Sequence, residues 1–134
     1  MIDDDGIIAI YSQELITLAE EANTPQRLEN PAVSAVAVNP ICGSEVTVDL
    51  VTHGDTVTKF GFEVEACALT KSVVAVMNKN IIGATRADIA KAGQALRAML
   101  QGQGLGPVGR WEKLQILMPV RDFPARHEAI LLPF

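Results

Sequence analysis

The chain is short of the features that most readily declare a function. It has two cysteines, two histidines and one tryptophan in 134 residues, and aromatic side chains make up only 4% of it. A chain of this length buries a core without disulfide or metal staples, so the scarcity of cysteine does not count against a stable fold. Acidic residues outnumber basic ones 16 to 11, for a net charge of −5, so neither nucleic acid nor an anionic membrane is expected as a partner. No apolar run approaches the roughly 20 residues of a membrane-spanning helix, and no basic start leads into an apolar signal core. A cytoplasmic protein with reduced thiols is the expectation. Paired catalytic carboxylates and a Ser/His/Asp pattern are missing too, and GQGLGPVG lacks the preceding strand, the lysine and the following helix that a phosphate loop needs. The chain is not expected to be an enzyme.

What is there is largely aliphatic. Apolar residues make up 49% of the sequence, which fits one globular domain spanning 1–134, and no repeat or long low-complexity tract divides it. Ile7, Ile8, Ile10, Leu15, Ile16 and Leu18 predict an amphipathic helix over 7–21, followed by the breaker-rich NTPQRLENP. VSAVAV at 33–38, VTVDLV at 46–51 and VTKFGFEV at 57–64 read as strands. In the third, Phe60, Phe62 and Val64 alternate with Lys59, Gly61 and Glu63, and THGD before it reads as a hairpin turn.

From Ala66 the period becomes helical, with Leu69, Val73, Val76 and Met77 on one face. A second helix is announced by Thr85 with Asp88 three residues on, a capping-box pair, and turns Ile89, Ala92, Leu96 and Leu100 inward. After a glycine-rich loop, WEKLQIL and ARHEAILLPF read as short helices. The order is α+β: a three-stranded antiparallel sheet with an N-terminal helix and C-terminal helices packed on it.

Both cysteines fall at strand ends. Cys42 sits in Asn39-Pro40-Ile41-Cys42-Gly43-Ser44, a tight turn that presents a thiol at a loop tip. Cys67 lies where the third strand gives way to a helix, near terminal amides that favour negative charge. If the first and third strands reach the same end of the sheet, the two loops converge on a soft-metal site. Either cysteine alone also reads as a small buried hydrophobe. His127, between Arg126 and Glu128, is the additional metal-ligand candidate, and its plain reading is a surface histidine on the last helix. His53 reads as an ordinary turn residue.

NPICGS, followed by two strands and EACALTKSVVAVM, resembles the iron–sulfur cluster assembly scaffolds of the IscU/SufU/NifU N-terminal type. Tyr11-Ser12, the TPQRLENP loop, Gly83 after the cysteine helix and the stretch before FPARHEAILLPF resemble the SufU-like branch in order and spacing. The resemblance implies a scaffold on which a nascent cluster is built from iron and from sulfur delivered by a cysteine desulfurase, then passed to apo-protein clients. It also implies that Cys42 and Cys67 are ligands of the cluster or metal, at the family's first and second cysteine positions.

Two positions depart from the family pattern. Ser44 stands where the family has an Asp, and Ala129 where it has a third cysteine; the Leu-Pro-Pro-Val-Lys segment of the chaperone-using branch is absent as well. A divergent scaffold is therefore expected, binding iron, an iron–sulfur cluster or zinc through Cys42 and Cys67. His127 is its third ligand, all three side chains meeting at one end of the sheet. The alternative is a cofactor-free paralogue that docks a desulfurase or client proteins, and a third reading pairs Cys42 with Cys67 as a reversible disulfide. The sequence does not fix the oligomeric state.

Overall fold

The computed structural model describes residues 13–29, 33–39, 43–122, 127–131 and 133–134, so the first turns of the expected 7–21 helix lie outside the described residues. Helix α1 spans Gln13–Glu21 and buries Leu15, Leu18 and Ala19, the spacing of a single apolar stripe. Strands β1 (Val33–Val38), β2 (Glu45–His53) and β3 (Thr56–Glu65) form one antiparallel sheet in the order β1-β2-β3. A two-residue hairpin joins β2 to β3, with Gly54 at φ +62°, where a residue without Cβ carries no steric penalty.

The register sets Val46, Val48 and Leu50 against Val64, Phe62 and Phe60, and this row packs into the core. Strict alternation from Phe60 points Val57 away from that row, yet Val57 is buried. The reason is a bulge. Val51 pairs with Lys59 and Thr52 with Val57, which leaves Thr58 as the extra residue; its hydroxyl donates to the Val51 carbonyl at 3.0 Å.

Helix α2 (Ala68–Asn80) is the centre of the core, with Leu69, Thr70 and every residue from Ser72 to Met77 buried. Helix α1 lies along it, held at the rim by Lys71 Nζ to Asn23 Oδ1 (2.7 Å) and Lys79 to Glu21 (2.9 Å). Helix α3 (Arg86–Leu100) starts with the expected capping box. The Thr85 hydroxyl accepts from the Asp88 N–H at 3.1 Å, and the Asp88 carboxylate accepts from the Thr85 N–H at 3.0 Å.

The expected WEKLQIL helix is instead a run of tight 3₁₀ turns over Gly109–Asp122, with Pro119 inside it. A 3₁₀ helix repeats every three residues, and Trp111, Leu114, Leu117 and Val120 keep that period and are all buried. A short helix α4 (His127–Leu131) follows. Among the described residues no helix is long and apolar enough to cross a membrane.

Residues 22–29 strap the other face of the sheet. Gln26 exchanges both backbone hydrogen bonds with Phe62, at 2.9 and 3.1 Å, and the chain then crosses Gly61. A Cβ at Gly61 would sit 2.5 Å from the Gln26 carbonyl and 2.8 Å from the Leu28 nitrogen. Beneath the crossing lies Asp49, whose carboxylate accepts from Arg27 Nε at 2.5 Å, from the Leu28 N–H at 3.1 Å and from the Ser34 hydroxyl. Strap, β1 and β2 are thereby fixed to one another, which sets where β1 ends and its following turn begins.

Candidate functional site

β1 and β3 both run antiparallel to β2 and so run parallel to each other. Val38 pairs with Glu45, and Glu45 pairs with Glu65, so the last residues of β1 and β3 stand in one row. They are two inter-strand steps apart, about 10 Å. The chain leaving Val38 enters the 39–44 turn, and the chain leaving Glu65 reaches Cys67 two residues later. The two segments singled out by the sequence therefore start from the same end of the sheet.

The turn is closed by its backbone. The Asn39 N–H donates to the Ser44 carbonyl and the Gly43 N–H to the Asn39 carbonyl, both at 2.8 Å, with Gly43 at φ +74°. Asn39 and Ser44 are buried. Ser44, where the resemblance implies an Asp, thus occupies a place where a carboxylate would be costly without partners. Cys42, with Pro40 and Ile41, lies outside the described residues.

Cys67 is the N-cap residue of α2, in an extended conformation (φ −70°, ψ 167°), and its carbonyl accepts the Lys71 N–H at 3.0 Å. Its half-buried thiol is free and makes no cap hydrogen bond. The sulfur lies 3.6 Å from the hydroxyl of Thr70, one helical turn on, a neighbour that the sequence reading did not single out.

His127 opens α4 and is half-buried. Its Nε2 lies 3.0 Å from the Val120 carbonyl at the end of the 3₁₀ segment. Donation to that carbonyl requires the proton on Nε2, which leaves Nδ1 with the free lone pair. Glu128 turns the other way and reaches Arg97 of α3 at 3.4 Å. His53 ends β2 at the exposed hairpin, as a turn residue should. Among the described residues no group of three or more His, Cys, Asp and Glu side chains is placed to hold a metal ion; the expected set of Cys42, Cys67 and His127 includes a residue outside them.

A broad surface cleft among the described residues lies elsewhere, between α1, the C-terminal end of α2 and the 3₁₀ segment. Its cations are engaged within the fold: Lys113 with Glu14 at 2.8 Å, Lys79 with Glu21, and Arg110 Nη1 with the carbonyls of Asn80 and Ile82 at 3.1 and 3.0 Å. Among the described residues its lining holds no hydroxyl, thiol or imidazole side chain.

The whole arrangement is similar to solved structures. A nitrogen-fixing NifU-like protein (N-terminal) from Brucella abortus is 37% identical, with a TM-score of 0.89 over 95% of this chain and 88% of that one. A putative iron–sulfur cluster assembly scaffold protein for the SUF system from the thermophilic Fervidobacterium islandicum AW-1 is 25% identical, with a TM-score of 0.83 over 92% of this chain and 90% of that one. A hypothetical protein solved at 2.3 Å, 19% identical with a TM-score of 0.76 over 89% of each chain, shares the fold alone. No family model and no curated protein matches the chain.

Proposed function

The chain belongs to the IscU/SufU/NifU N-terminal-type family of iron–sulfur cluster assembly scaffolds, and from that premise we propose that it carries a nascent cluster, or the iron for one, as cargo on Cys42 and Cys67. The observation that carries this reading is the register of the sheet: Val38, Glu45 and Glu65 share a row, so the 39–44 turn and Cys67 begin at one end of it. On this reading the protein is a carrier and not an enzyme. A cysteine desulfurase supplies the sulfur, apo-protein clients take the cluster, and a reducing cytoplasm keeps the thiols available.

Thiolates suit iron–sulfur centres and zinc alike. His127 is the third ligand of this reading, through Nδ1. Its contact with the Val120 carbonyl supports that role, because metal-bound histidines ordinarily donate their other N–H to such an acceptor. Ser44 contributes no carboxylate and Ala129 no thiolate, so a four-coordinate ion has one position left for water or a partner's ligand.

Zinc and reconstituted cluster content, measured without oxygen in the wild type, Cys42→Ala, Cys67→Ala and the double variant, tests the proposal. The wild type is expected to hold metal, each single variant less, and the double variant none. A wild type that retains no more than the double variant ends the reading. Ser44 and Ala129 favour a second one, a cofactor-free module that docks the desulfurase; desulfurase capture that persists in a metal-free double variant is its signature.

A further inference from the structure

The two edges of the sheet are finished differently. Beside β3, Gln26 pairs with Phe62, and Thr85 bridges Thr56 with the Val57 N–H donating to the Ala84 carbonyl at 2.9 Å. That edge is occupied at two points. β1, by contrast, pairs with β2 alone among the described residues, so the backbone groups on its other side face outward. VSAVAV has no charge, no proline and no bulge, the devices that ordinarily close such an edge. Val33, Val36 and Val38 are 52%, 60% and 53% exposed.

Beneath this edge the described residues leave space open on the inner row. Ala35 and Ala37 pair with Val48 and Val46 in the row that faces the helices, and their short side chains help leave a cavity of about 220 Å³ lined by Leu50, Met77, Ile81 and Phe134. We infer that β1 accepts, as a fourth strand, an extended segment of a partner protein with bulky aliphatic side chains at alternate positions and lysine or arginine at its ends. Backbone pairing supplies the affinity, and an aliphatic side chain on the inner row enters the cavity.

A second copy of this chain fits less well. Paired in the same sheet, its β1 brings only Val33, Ala35 and Ala37 to the inner row, which do not fill the space. Each copy also carries a net charge of −5, with exposed Glu45 beside Val38, so copies repel where a basic segment is attracted. Six strand residues fall short of the ~1,000 Å² of a stable interface, so the pairing is transient. This inference goes beyond the cluster-carrying reading and does not depend on it.

The probe is a fluorescein-labelled peptide, Lys-Ile-Thr-Leu-Thr-Ile-Lys-amide, titrated with metal-free protein and read by anisotropy. Saturable binding is expected, weakened about tenfold or more by Val36→Lys at the edge and by Ala35→Leu in the cavity. It should be unchanged in the Cys42→Ala/Cys67→Ala variant. If Ala35→Leu does not fold, a peptide with alanine in place of leucine makes the same comparison from the ligand side. No binding, binding indifferent to Val36→Lys, or a wild-type dimer in sedimentation velocity that Val36→Lys dissociates would each overturn the assignment.

Discussion

Asp49 sits on the middle strand with no exposure to water, a place that a carboxylate tolerates only when donors surround it. Hydrogen bonds from the Arg27 guanidinium hold its pKa down, from 3.8 to about 2, against burial, which pushes it up; the Ser34 hydroxyl and the Leu28 N–H assist. Because the folded pKa lies below the unfolded one, the stabilisation is fully present above about pH 4 and is lost as the pH falls from there towards 2. With Arg27 partly in solvent, its size is about 1–2 kcal/mol. Asp49→Asn should therefore lower stability by about that much at pH 7 and flatten the acid limb of the melting curve between pH 4 and 2. Parallel acid limbs for the two proteins in a pH series of thermal melts would show that the carboxylate is not held this way.

At the scale of elements, the strap crosses β3 only because residue 61 has no side chain. Gly61→Ala puts a methyl group against the Gln26 carbonyl and the Leu28 nitrogen, backbone atoms that cannot swing aside, as well as against Leu28 Cγ. The strap must lift, taking with it the Phe62 pairing and the Asp49 contacts, so a loss of about 2 kcal/mol or more is expected in chemical denaturation. A cost under half of that would mean the strap is loosely laid. The strands, the hairpin and the capping box were legible in the sequence because each is a local pattern of alternation or spacing. The strap's function was not, because Arg27, Ser34 and Asp49 meet only through tertiary pairing. Thr58 was hidden as well, since one bulged residue leaves the Phe60-Phe62-Val64 alternation intact while reversing Val57. The 3₁₀ segment had a signal, the three-residue period of Trp111, Leu114, Leu117 and Val120, that a search for helical spacing passes over.

For the whole molecule, the proposed ligands belong to parts of the chain far apart in sequence: the turn between β1 and β2, the start of α2 and the start of α4. The motif made Cys42 and Cys67 legible as a pair, but the Val120 carbonyl that selects the free nitrogen of His127 is a product of folding. A metal held by all three stabilises the folded chain by about 2.7 kcal/mol when free metal is a hundredfold above Kd, which is a rise of roughly 5–10 °C in Tm for a chain of this size. Thiols must lose protons to bind, so the rise should be larger at pH 8 than at pH 6. This dependence runs in a window well above that of Asp49, and one pH series of melts with and without zinc separates the two. Cys67→Ala should abolish the zinc-induced rise and His127→Ala should reduce it. A full rise in Cys67→Ala would place the zinc elsewhere, whereas a full rise in His127→Ala would leave the two sulfurs holding the ion without the histidine.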